Sequence, residues 1–208
     1  MSWHEPYRDA SSPLSRRLRL VQEHIHAWLD GRADAELTVV SACAGQGRDL
    51  VGVLASRPDA GRVRATLIEQ DQGNVDIARA GRDRAGLTDV EVVRGDAGLR
   101  SAYLRAVPAD LVLLVGVLGN ISDSDVRRTV EALPELCAPG ATVIWTRTRR
   151  PPDLTPYVRL WFEEAGFVEQ AFSAPDDVLF SVGVHRFAGD PRPLDPVGRL
   201  FSFVDSGG

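Results

Sequence analysis

Short apolar, β-branched runs alternate along this chain with stretches of helical spacing, and that alternation limits the fold more than any other feature. The runs fall at residues 37–42, 63–69, 90–93, 110–115 and 141–146. Helical segments are predicted between and after them at 48–56, 73–85, 99–105, from a Ser122 cap to about 136, and at 155–165. Strands that alternate with helices pack most economically as one mostly parallel sheet covered by helices on both faces. The first, fourth and fifth runs are apolar almost throughout, as central strands buried on both sides require.

The ends of the chain depart from the alternation. Leu14, Leu18, Val21, Ile25 and Trp28 follow a 4-3-4-3 spacing, which predicts an amphipathic helix closing near Gly31. Cys137-Ala138-Pro139-Gly140 reads as a turn before the fifth strand. Two last strands, 168–173 and 178–187, flank the turn Ala174-Pro175-Asp176-Asp177 and give a hairpin-like ending. Three parts are expected: an N-terminal segment and helix over 1–36, able to serve as a lid, a main domain over 37–188, and a tail over 189–208. The tail carries an apolar hook, Leu200-Phe201-Ser202-Phe203-Val204, expected to pack back on the domain.

Composition removes several chemistries. All 24 basic residues are arginine. Without lysine there is no Schiff-base amine, no phosphate-loop lysine and no Tyr/Lys dehydrogenase pair. The net charge of −5 disfavours a general nucleic-acid partner. No apolar run approaches the ~20 residues of a membrane helix, and residues 1–6 do not read as a secretory signal. Two cysteines, Cys43 and Cys137, build no disulfide framework, so a cytoplasmic setting is expected. His24 and His26 point to different faces of their helix, and no metal site is expected.

In an open parallel sheet, ligands sit beyond the carboxyl ends of the strands, where strand order reverses. The loop after the first strand reads Ser41-Ala42-Cys43-Ala44-Gly45-Gln46-Gly47-Arg48-Asp49. Its small residues let a ligand approach the backbone, although a glycine turn between strand and helix would look the same. The second strand ends at Glu69, about 20 residues downstream, where an acid meets ribose hydroxyls. The third is followed by Asp96, which could accept from an adenine amine. A dinucleotide-binding oxidoreductase would want a third glycine where Leu50 stands.

The succession VVSACAGQGRDL, ATLIEQDQGNVDIARA, VVRGDA, ADLVLLVGVLGNIS and LCAPGATVIWT resembles the ordered motifs of class I S-adenosylmethionine (SAM)-dependent methyltransferases, over about residues 37–187. The CAGQGRDL form is similar to that of a bacterial group in this family. The resemblance implies an α/β, three-layer Rossmann-like methyltransferase fold, with a mostly parallel seven-stranded sheet and an antiparallel C-terminal strand. It implies SAM as cofactor and S-adenosylhomocysteine (SAH) as product. By it, Ala44, Gly45 and Gly47 would line the methionine part, Glu69 would hold the ribose, and Gln70 would lie beside the adenine. Asp96 and Ala97 would meet the adenine edge, and Val115 and Gly116 would floor the site. Two positions depart from the pattern: Ser41 replaces an acid, and Cys43 replaces the first glycine and reads as a buried, inert thiol. The CAxxG form also resembles some RNA methyltransferases, which the acidic composition disfavours.

Three groups are candidates for the acceptor side. Asn120 either orients an acceptor or simply leads to the Ser122 cap. His4 and Tyr7 either belong to a lid, with His4 as a base near neutral pH, or lie in an uninvolved terminus. The run Arg147-Thr148-Arg149-Arg150 offers guanidiniums, Arg147 and Arg149 foremost, for a carboxylate or phosphate, or else forms a solvated rim. The expected function is methyl transfer to a small molecule, with anionic character suggested by that run, from a monomer or homodimer. The alternatives are a SAM-binding sensor without turnover and an NAD(P)-binding oxidoreductase.

Overall fold

The structure, a computed structural model, describes residue 9 and residues 11–204. Helix α1 (Pro13–Asp30) opens under a cap in which the Ser12 side chain accepts from the Ser15 N–H, with Pro13 in the first turn. Then follow β1 (Leu37–Ala42), α2 (Leu50–Leu54), β2 (Val63–Glu69), α3 (Gln72–Arg84) and β3 (Val90–Arg94). The second half holds β4 (Ala109–Leu114), α4 (Asp123–Ala132), β5 (Cys137–Thr148), α5 (Thr155–Glu164), β6 (Phe167–Ser173) and β7 (Phe180–Phe187).

The seven strands form one sheet in the order β3-β2-β1-β4-β5-β7-β6. Only β7 runs antiparallel to its neighbours, between β5 and β6. The order reverses at β1, which pairs with β2 on one side and β4 on the other, so a crevice opens beyond its carboxyl end.

Alternation along the strands divides the core into two faces. Val39, Leu111, Leu113 and Ile144 pack with α1, α2 and α3. Val40, Val112, Leu114, Val143 and Trp145 pack with α4 and α5. This is the three-layer arrangement anticipated from the sequence. Trp145 is fully buried, stacks on Phe162 with centroids 5.8 Å apart, and donates its indole N–H to His185 Nδ1 at 3.2 Å.

Several boundaries differ from expectation, each for a local reason. The helix predicted over 48–56 shrinks to α2 because the preceding residues stay in the glycine loop and Asp49 accepts from the Leu50 N–H at its start. The helix predicted to reach 136 gives way to a 3₁₀ turn, Leu133–Glu135, at Pro134. The turn expected at 137–140 lies inside β5: Ala109 pairs with Cys137 and Leu111 with Thr142, so the extra residues bulge, with Gly140 at φ +74°.

Candidate cofactor and acceptor site

The chain leaves β1 through three left-handed residues, Cys43 (φ +54°), Gly45 (φ +55°) and Gly47 (φ +69°). Glycine adopts this region freely, whereas a side chain costs about 1–2 kcal/mol. Gly47 has a second requirement, since a Cβ there would stand 2.9 Å from Leu67 Cδ2. The loop is pinned to β2. Ala44 donates to the Ile68 carbonyl at 3.0 Å, and Gly45 donates to Glu69 Oε2 at 2.7 Å. The other Glu69 oxygen accepts from the Asp71 N–H at 2.9 Å. Each oxygen keeps a lone pair for a further donor. Burial, with Glu69 and Asp96 nearby, pushes the Cys43 thiol up to about 12, which leaves it protonated and unreactive at neutral pH.

Two hollows meet at Cys43. One, of about 220 Å³, is lined by Ala44, Gly45, Gln46, Asp49, Val115 and Gly116, with Leu14, Arg17 and Leu18 of α1 on the opposite wall. The other, of about 580 Å³, is lined by Glu69, Gln70, Asp96 and Ala97, with Phe203 from the C-terminal segment. A third hollow, of about 550 Å³, shares Leu14, Arg17, Gly116 and Asn120 with the first. It continues to Thr146, Arg147, Arg150, Leu179 and Phe180. Asp49 is buried, and loss of solvent raises its pKa despite the hydrogen bond from Leu50.

The structure therefore gathers Ala44, Gly45, Val115, Gly116 and Asn120 around one hollow, and Glu69, Gln70, Asp96 and Ala97 around the other. Gly47 lines neither and instead packs behind the loop against Leu67 and Val51. Asn120 donates from Nδ2 to the Gly116 carbonyl at 2.7 Å, which fixes the orientation of its amide. Asp96 is engaged within the chain, accepting from the Gly98 N–H at 2.8 Å and pairing with Arg199 at 2.7 Å.

Two arginines of the run at the end of β5 are engaged within the chain. Arg147 donates to the Leu118 carbonyl and pairs with Asp123 at 3.2 Å. Arg149 donates to the carbonyls of Pro175 and Val178. Both guanidiniums thus brace loops, and it is the exposed Arg150 that stands at the third hollow without an internal partner among the described residues. His4 and Tyr7 lie outside the described residues.

Sequence reasoning missed four contributors. Leu14 and Leu18 were visible as part of the apolar stripe, but the stripe alone does not reveal that its first turn faces a hollow. Asp49 was legible only as the end of the glycine motif. Phe203 belonged to the apolar hook, whose landing place no local pattern specifies.

Neither a protein-family model nor a curated protein matches the chain. Solved structures match its fold. An O-methyltransferase family protein from Burkholderia thailandensis superposes with a TM-score of 0.61 at 17% identity, over 82% of this chain. The present chain spans 57% of that protein's length. Magnesium protoporphyrin IX methyltransferase from Synechocystis, with bound SAM, gives 0.66 at 13% identity over 89% of each chain. Precorrin-6y C5,15-methyltransferase from Geobacter metallireducens gives 0.59 at 9% identity, over 83% of this chain and 89% of its own. The fold is that of class I SAM-dependent methyltransferases. Among the described residues, no helix is long and apolar enough to cross a membrane.

Proposed function

We propose that this protein is a SAM-dependent methyltransferase acting on a small molecule. The observation that carries this reading is the Gly45–Glu69 contact: it places a left-handed glycine loop and a strand-end carboxylate around two hollows that join at Cys43. A nucleoside bearing an amino-acid arm needs that bipartite shape. Glu69 would accept from the ribose hydroxyls through its remaining lone pairs. Ala44, Gly45, Val115 and Gly116 would line the methionine arm, with Gly47 holding the loop's curvature from behind. Asp49, buried beside this hollow, would face the ammonium, which would supply the opposite charge its carboxylate needs.

Bound SAM supplies a methyl group activated on a sulfonium for in-line displacement. The chain's share is to exclude water, align the acceptor and hold hydrogen-bonding groups near it. Asn120, shared by the first and third hollows, stands where an acceptor would meet the methyl-bearing side. Its Nδ2 is fixed on Gly116, which presents Oδ1 as an acceptor for an O–H or N–H. Arg150 makes an anionic group on the substrate the favoured choice; Arg147 and Arg149 would act by holding the walls. The two unpaired cysteines suit a reducing, cytoplasmic setting.

Calorimetry with SAM and SAH, with Glu69→Ala as a control, tests the cofactor. Binding of either ligand by the wild type is expected, and its absence would overturn the reading. Transfer of labelled methyl from SAM into cell extract, divided into small-molecule and macromolecular fractions, then tests turnover and acceptor size.

A further inference from the structure

The larger hollow beside Glu69 owes one wall to a segment far away in sequence. Residues 198–204 return across the carboxyl ends of β3 and β4 and are fastened at every other step. Arg100 donates to the Gly198 carbonyl at 3.2 Å, and Leu200 donates to the Gly98 carbonyl at 2.8 Å. Arg199 pairs with Asp96 at 2.7 Å. Ser202 donates its N–H to Asp125 Oδ2 at 2.8 Å, and Val204 donates to the Asn120 carbonyl at 3.0 Å. Leu200 and Phe201 are buried. Gly98 makes this close passage possible, because a Cβ there would lie 2.3 Å from the Phe201 carbonyl oxygen.

Within this fastened segment Phe203 remains 48% exposed, although its neighbours are bound on both sides. Its ring meets Phe201 edge-on at 5.6 Å and lines the same hollow as Glu69, Gln70 and Ala97. A half-exposed aromatic ring held by its backbone has apolar area still to cover and little ordering entropy to lose. A flat, π-rich ligand satisfies it best. The Asp96 carboxylate, meanwhile, already holds Gly98 and Arg199.

We infer that Phe203 is the stacking surface for the purine base of the bound nucleoside, with Asp96 and Arg199 as positioning residues that fix the segment carrying it. This rests on the cofactor reading above and adds a recognition residue supplied by the C-terminal segment. The same segment ties the base site to the acceptor side through Val204 and Asn120.

The test is SAH titration of the full chain by calorimetry, with thermal melts of each variant. Phe203→Ala is expected to weaken SAH about tenfold to a hundredfold, the range for losing one base–aromatic stack. Phe203→Leu should recover only part of the loss, and Phe203→Trp should bind at least as well as the wild type. In Phe203→Trp, SAH should also quench indole emission beyond the wild-type change, a signal that a purely structural role would not produce and that serves if Phe203→Ala fails to fold. Wild-type affinity in Phe203→Leu, or SAH binding to Phe203→Trp without extra quenching, would overturn the assignment while leaving the cofactor reading intact. Failure of the wild type to bind SAH or SAM would overturn both.

Discussion

Gly45 donates its backbone N–H to Glu69 Oε2 at 2.7 Å, joining the turn after β1 to the end of β2. The second oxygen of Glu69 accepts from Asp71, so one carboxylate clamps the starts of two connections. The position a strand-end acid needs to reach ribose is also the position from which it fixes the glycine loop. Structural and recognition roles therefore cannot be separated by deleting the side chain alone.

Glu69→Gln probes both roles in one side chain of unchanged size. The amide keeps the size of the side chain but turns one acceptor into a donor facing either the Gly45 or the Asp71 N–H. A loss of about 1–3 kcal/mol in stability is expected from that mismatch. Loss of SAH affinity of tenfold or more should accompany it. Denaturant unfolding and calorimetry on the same samples check both, and unchanged stability would show that the clamp contributes little.

Cys43 occupies a left-handed position with a half-buried thiol. Cys43→Gly removes the backbone cost of about 1–2 kcal/mol but forfeits the packing of a small apolar side chain. The two effects oppose, and a net change within about 1 kcal/mol is expected, with SAH binding retained. Cys43→Val should lose about 2 kcal/mol or more, because branching at Cβ aggravates the same backbone conformation. Urea titrations rank the three proteins. With its pKa pushed up to about 12, the thiol should also resist iodoacetamide in the native protein at pH 8, which mass spectrometry reads directly.

What was legible in the sequence follows from the range of each interaction. The strand ends that carry Glu69 and Asp96 could be read because apolar runs stop there. The glycine loop could be read because φ-permissive residues are written locally. Arg147 and Arg149 show the limit: their charge was evident, but their acceptors are carbonyls of Leu118, Pro175 and Val178, from other parts of the chain. Phe203 shows the same limit, since its place depends on contacts of its segment with Gly98, Asp125 and Asn120, far away in sequence. The bulge in β5 was misread because Pro139 and Gly140 have turn chemistry, which an irregular strand can absorb.

Gly183 on β7 faces Trp145, and a Cβ added there would stand 2.3 Å from indole Cε2. Trp145 has no exposed surface and is stacked on Phe162, so it has nowhere to move. Gly183→Ala should therefore destabilise by about 3 kcal/mol, at the upper end of ordinary overpacking. For a domain of this size that is a fall of roughly 6–12 °C in Tm. Calorimetric melting measures it, and a shift under about 2 °C would mean that the sheet relaxes more readily than this packing implies.

His185 sets the pH dependence. Its Nδ1 accepts from the Trp145 indole, so the neutral ring carries its proton on Nε2, 3.6 Å from Glu169 Oε2. Burial outweighs the attraction of Glu169 and pulls the His185 pKa down to about 4, with Arg159 acting in the same direction as burial. In the unfolded chain the group titrates near 6.5, so between about pH 6.5 and 4 the unfolded state binds the extra proton. Stability is therefore highest above pH 6.5 and falls as pH drops through that window, by about 3 kcal/mol for this group. His24, also lowered by burial, adds a smaller loss of the same sign. The Glu169 carboxylate, held low by its hydrogen bond to Arg159, loses its contribution only below its unfolded value of 4.5. Guanidinium unfolding at pH 7.5 and pH 5 measures the net fall, which the buried Asp49, with its pKa raised by burial, opposes. His185→Gln should flatten most of the difference, and an unchanged slope would show that the titration belongs to another group.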